Sequence, residues 1–202
     1  MFIGLILLVL VYFGYKFLTK QKINGNNSSP KQEAIKIGTH SIEFNNSIDT
    51  MLDNYFDLAN AFVNGDSISA KAVGEKLVIS FNHIPLAELK KDTSLKKDAL
   101  LLFAADSSSL TDAQSFADSL TKETDLAKMR QDFSTLNENL YPLLKGINYN
   151  GKNKKLYWQN CPMAFGEDNG ANWISDTEAI RNPYLGRKMI SCGEVKDTIK
   201  AQ

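Results

Sequence analysis

Two cysteines and two histidines are all the sequence contains of those residue types. There is no Cys-x-x-Cys, and neither histidine stands near a thiol in the chain, so thiol catalysis lacks its usual sequence basis. Net charge is also missing. The 23 lysines and arginines balance the 23 aspartates and glutamates, so no overall field draws in nucleic acid or an acidic partner. The cluster Lys152, Lys154 and Lys155 reads as a solvated loop, without the arginine-rich stripe of a nucleic-acid reader. Glu167, Asp168 and Glu178 lack the spacing of a calcium loop, and no nucleophile–base or phosphate-cradling motif occurs. These absences point to a protein that is not an enzyme. His40 and His83, each alone, read as ordinary polar or surface residues.

What is present begins with an apolar run. Phe2 to Leu18 is interrupted only by Lys16, close to the ~17–20 residues a helix needs to cross a bilayer. Tyr12, Phe13, Tyr15 and Phe17 crowd its far end, where an interfacial aromatic belt sits. A basic start and a small-x-small cleavage site are both lacking, which argues for an uncleaved transmembrane anchor over residues 1–20 rather than a signal peptide. No cysteine follows the run, so a lipoprotein anchor is excluded. Orientation stays open on these residues. Lys16, Lys20 and Lys22 favour a cytoplasmic flank by the positive-inside rule, whereas large domains translocate despite modest charge.

Residues 21–45 read as a linker. Its Asn, Ser, Gly and Lys content is that of a flexible tether, with a segment from Ala34 to Phe44 whose partial alternation suggests extended chain. Over residues 46–146 the period becomes helical. Ile48, Met51, Leu52, Tyr55, Phe56, Ala59, Phe62 and Val63 form one stripe that Asn64-Gly65 ends. Asp66 or Ser67 starts a second helix with Ile68, Ala72, Val73, Leu77, Val78 and Phe81 inward, stopped by Pro85. A third runs from about Ser94 to Leu120, with Leu95, Ala99, Leu102, Phe103, Phe116 and Leu120 inward and Ser107-Ser108-Ser109 as a weak point. Thr124 or Asp125 caps a fourth, carrying Leu126, Met129, Phe133, Leu136, Leu140, Leu143 and Leu144 to Gly146. Short connections imply an up-down four-helix bundle, its stripes, Met51 and Met129 included, being core.

From 147 to 202 the pattern turns irregular. Lys154–Gln159 reads as one short strand, and Trp158, Phe165, Trp173 and Tyr184 read as the side chains that pack this tail on the bundle. The fold class expected is therefore mostly α, with an anchor, a bundle and a small irregular appendage. Within that appendage each cysteine sits near a methionine: Cys161 and Met163 flank Pro162, and Met189 and Cys192 are three apart, on one side of a turn. Thiolate and thioether sulfur suit a soft ion, so Cys161, Met163, Met189 and Cys192 together form a candidate Cu(I) or Ag(I) site. Zinc fits less well, because structural zinc sites are built from Cys and His. The rival reading is a Cys161–Cys192 disulfide stapling the tail.

Three stretches of this tail carry a family resemblance: Cys161-Pro162-Met163-Ala164, Gly170-Ala171-Asn172-Trp173-Ile174-Ser175, and Arg181 through Gly193. Together they resemble a bacterial domain-of-unknown-function family, whose members are small secreted or anchored proteins and C-terminal extensions of periplasmic adaptor subunits of copper/silver efflux pumps. Met129-Arg130-Gln131-Asp132-Phe133 resembles that family's Arg-containing last bundle helix, and Leu185 replaces its usual phenylalanine. The resemblance implies a periplasmic domain associated with copper or silver handling, with an efflux or metal-handling protein as partner; with the apolar run, the expectation is a single-pass inner-membrane protein. Otherwise the domain is a structural or interaction module with a stapled tail.

Overall fold

The structure, a computed structural model, describes residues 40–200 apart from 91–95 and 148; the side chains of 89–103 are not described. The expected anchor and most of the linker lie outside these residues. Among the described residues no helix is long and apolar enough to cross a membrane.

Four helices come first: α1 (Ile42–Asn64), α2 (Ser67–Asn82), α3 (Lys96–Lys122) and α4 (Leu126–Gly146). The starts of α1, α2 and α4 are each set by a side chain that accepts one of the helix's orphan N–H groups. Ser41 takes Phe44 N–H, Asp66 takes Ser69 N–H and Asp125 takes Ala127 N–H. Gly65 ends α1 in the left-handed conformation (φ 70°) and returns its N–H to the last turn, as Asn64-Gly65 suggested. Because Ser41 supplies the cap, α1 begins at Ile42, and residues 42–44 are helical rather than extended.

Successive helices lie side by side, and the first and last meet through large side chains. Phe133 of α4 sits between Tyr55 and Phe62 of α1, with ring centroids 5.4 Å and 5.0 Å away. Met51, Leu52, Leu58, Leu120, Met129, Leu136 and Leu140 fill the rest of this core, each burial contributing about 1.5–3 kcal/mol. The two methionines are core, as the stripes implied.

Two expectations for the bundle are corrected. Ile68 is 83% exposed. Ala72 is exposed as well, whereas Leu77 and Phe81 are buried and Val73 and Val78 pack against the core as expected; Ala70, Gly74 and Ser80 complete the buried face, and Gly74 lets α3 come close. A Cβ on Gly74 would lie 3.1 Å from Leu120 Cδ2. The second correction concerns α3, which runs unbroken through Ser107-Ser108-Ser109. There Thr111 Oγ1 donates to Ser107 O (2.9 Å) and Ser108 Oγ to Asp112, so the serine run is held by bonds within the helix. Leu110, Ala113, Ala117 and Leu120 are its buried positions; the expected inward residues Leu95, Ala99, Leu102 and Phe103 lie outside the described side chains.

The tail is not irregular with one strand. It forms a three-stranded antiparallel sheet, β1 (Lys155–Cys161), β2 (Ala171–Ser175) and β3 (Glu194–Lys200), in the order β2-β1-β3. Short length hides β2, and a bulge opposite Trp158/Gln159 shifts the β3 register and hides its alternation. The sheet packs on α4 through β2. Trp158 stacks on Tyr141 at 4.1 Å, while Tyr184 contacts Phe133, Phe165 and Trp173. The four aromatics assigned to packing do so.

A buried polar network joins sheet and bundle. Tyr55 Oη donates to Asn137 Oδ1 (2.6 Å) and accepts from Ile174 N–H (2.9 Å). Asn137 Nδ2 donates to Phe133 O and to Tyr184 Oη, which in turn donates to Asn172 O. Burial, with the neighbouring tyrosine second, raises the Tyr55 hydroxyl well above its usual range, so it stays a protonated donor.

Candidate thiol site on the sheet

Cys161 is the last residue of β1 and is completely buried. Cys192 lies just before β3 and is half-buried. The sheet brings them together: with Asn160 paired to Glu194 and Gln159 to Val195, the chain before β3 passes alongside the end of β1. The two Sγ atoms are 3.1 Å apart.

That approach depends on Gly193. It has φ 141°, and a Cβ there would stand 2.7 Å from Asn160 O and 2.9 Å from Trp173 Cη2. No other residue lets the chain come so near to β1 and Trp173 directly after Cys192.

The loop leading to Cys192 is built around Asn182, which is fully buried. Its Oδ1 accepts from Tyr184 N–H (2.8 Å) and Leu185 N–H (3.0 Å), its Nδ2 donates to Cys192 O (2.8 Å), and its own N–H bonds Ile190 O. One side chain thus ties both ends of the loop. A 3-10 turn, Gly186–Lys188, lies between, and Cys192 N–H closes an i to i+3 turn on Met189 O. The sequence spacing of Met189 and Cys192 anticipated that turn, whereas nothing in it singled out Asn182 as its organiser.

The two methionines of the expected ligand set stand apart in exposure. Met163, in the turn after β1, is 40% exposed, and Met189 is 47% exposed. The structure therefore joins the two thiols and leaves both thioethers facing solvent. Hydrogen bonding to Cys161 foremost, then burial and the charge of that neighbour, raise the Cys192 thiol above its ordinary range. No cation acts to lower it, so Cys192 carries its proton at neutral pH until something displaces it.

The remaining metal-ligand types do not gather. Among the described residues no group of three or more His, Cys, Asp or Glu is placed to hold an ion. His83 is exposed with Nδ1 2.9 Å from Ile79 O, and His40 stacks on Phe44. Lys152 pairs with Asp53 at 2.6 Å and Lys154 bonds Asn150, so these two lie in an exposed loop tied back to the bundle, while Lys155 opens β1.

Sequence reasoning singled out Arg130 only as part of a motif. In the structure it clamps tail to bundle: Nε donates to Pro183 O (2.9 Å) and Nη2 to Phe62 O (2.7 Å). An arginine near the start of α4, opposite the negative C-terminal end of α1, is the signal that could have marked it.

Fold and site together define a four-helix module carrying a small antiparallel sheet, with a facing cysteine pair where the central strand β1 ends. The chain belongs to the family described as protein of unknown function (DUF3347), which matches residues 51–152. The match takes in most of the bundle and stops before the sheet, so both cysteines lie beyond it. No curated protein and no solved structure matches the chain.

Proposed function

We propose that this is a membrane-anchored, periplasm-facing module that binds a soft monovalent ion, Cu(I) or Ag(I), and hands it to a metal-handling or efflux partner. The observation that carries this reading is the facing pair of Cys161 and Cys192, with two exposed thioethers at most three residues away. The thiolates hold the ion; Met163 and Met189, reachable from solvent, receive it and pass it on. The tail's resemblance to extensions of copper/silver efflux adaptors supports the location and the partner class.

Two sulfurs sharing one ion stand roughly 3.5–4.5 Å apart at ordinary metal–sulfur bond lengths. Loading therefore requires the pair to open from 3.1 Å. Cys161 is fixed in a strand, so the opening falls to Cys192 at the end of its loop. Each thiol proton displaced by the ion goes to solvent, so affinity rises with pH by up to about tenfold per unit for each proton.

The test is competition for Cu(I) between the reduced protein and a Cu(I) chelator, beside a Cys161→Ser/Cys192→Ser variant. Stoichiometric binding lost in the variant supports the reading. Micromolar or weaker binding, unchanged in the variant, removes it.

A second reading rests on the same facing thiols, whose sulfurs at 3.1 Å need to close by only about 1 Å to reach the ~2.05 Å of a disulfide. Here the two thiols give two electrons and two protons to a thiol oxidant of the compartment and form a disulfide, and the module serves as a structural or interaction domain. Counting thiols in protein isolated without reductant separates the two: two free thiols exclude the staple.

A further inference from the structure

Where α1 ends and α4 begins, the Tyr184–Lys188 segment closes a cleft of about 440 Å³. Three of its lining side chains are cations, Arg130, Arg187 and Lys188, and none is a carboxylate. The other side chains that matter are Leu126 and Leu185. In a chain of zero net charge this is a concentrated positive site.

Local structure accounts for only part of that charge. Arg130 is half-buried, and its two carbonyl partners use two of its five N–H donors. Burial lowers its pKa, the mark of a cation held from water without a counter-ion. The last turn of α1 has no basic residue of its own, so Arg130 also answers the roughly half a negative charge at that helix end. Arg187 Nη2 donates to Asn64 Oδ1 (3.1 Å) at the same end. Half a charge does not balance three cations. The acids beside Gly65, Leu126 and Arg130 are engaged elsewhere: Asp66 accepts from Ser69 N–H and Oγ, Asp125 from Ala127 N–H, and Asp132 from Ser119. None of the ion pairs among the described residues involves Arg130, Arg187 or Lys188.

We infer that this cleft binds a small organic oxyanion, its carboxylate or phosphate on Arg130, Arg187 and Lys188 and a short apolar body against Leu126 and Leu185. The volume falls in the range of small-molecule sites, and fixed guanidiniums with an apolar wall are how such sites select an anionic head. Arg187 and Lys188 are exposed, so they meet the ligand at the mouth, while Arg130 meets it at the floor. The inference uses no sulfur atom, so it stands or falls separately from the soft-metal reading.

Isothermal titration of the full chain in detergent with phenyl phosphate, benzoate and inorganic phosphate tests it, beside an Arg187→Gln/Lys188→Gln variant. Those two side chains are exposed, so the unliganded variant should melt as the parent does. The expected result is a Kd near or below ~1 mM for phenyl phosphate or benzoate, weakened at least about tenfold in the variant and by added salt. The tighter of the two identifies the head group. A Kd above ~10 mM for all three probes overturns the inference. So does binding that is unchanged in the variant, and so does inorganic phosphate binding as tightly as phenyl phosphate, since the apolar wall would then add nothing.

Discussion

Tyr55 of α1 and Asn137 of α4 share a wholly buried hydrogen bond of 2.6 Å, and the same hydroxyl accepts from Ile174 N–H of β2. One oxygen therefore fixes first helix, last helix and sheet to one another. Replacing it leaves a buried amide oxygen and a buried N–H without partners. Tyr55→Phe is expected to lower unfolding free energy by about 1–3 kcal/mol with little change in helix content, checked by urea denaturation followed by circular dichroism.

Gly193 sets the approach of the thiols. Gly193→Ala places a Cβ against Asn160 O and Trp173 in a conformation L side chains rarely adopt. The expected cost is about 1–3 kcal/mol, with slower Cys161–Cys192 bond formation under a mild oxidant. A variant that closes the disulfide at the parent rate would show that the glycine does not position the pair.

Asn182 acts on Cys192 through one donor and on the loop through two acceptor bonds. Asn182→Asp keeps the acceptors for Tyr184 and Leu185 but loses the Nδ2–H to Cys192 O. Its expected signature is faster labelling of Cys192 by a thiol reagent. Asn182→Ala, which loses all three bonds, should also lower stability by about 1–3 kcal/mol.

Two carboxylates give opposite pH signatures. Burial holds Asp106 up at about 6, so the native state keeps a proton that the unfolded chain, at about 3.9, has lost. Stability then falls as pH rises from about 4 to about 6. Asp106→Asn is expected to raise the urea midpoint at pH 7 and leave it unchanged near pH 4. Asp197 is held down at about 2, by Lys145 first and Tyr141 second, and fastens β3 to α4. Its contribution is present above about 4 and is lost as pH falls toward 2, so acidification should loosen β3 before the helices, read as amide exchange of residues 194–200.

The helices were legible because their signals are local. Gly65 and Asp66 mark a boundary by their own chemistry, and Met51 and Met129 fall on stripes that the bundle buries. The margin of the α2 stripe was not, since Ile68 looks as apolar as Leu77 and only Gly74 marks the face that α3 approaches. The sheet was legible only at β1, because β2 is short and the β3 pairing slips at a bulge. At the candidate site, spacing placed Met189 and Cys192 on a turn. What brings Cys192 to Cys161 is Gly193 and Asn182, whose roles are long-range and leave no period in the sequence.

The most direct test of the soft-metal account is Cu(I) competition on the reduced full chain in detergent, read as stoichiometry and affinity against a chelator of known strength. The expected result is one ion per chain, bound at least about 1,000-fold more tightly than by the Cys161→Ser/Cys192→Ser variant, a difference of roughly 4 kcal/mol. Equal, micromolar-or-weaker binding by both proteins would contradict it.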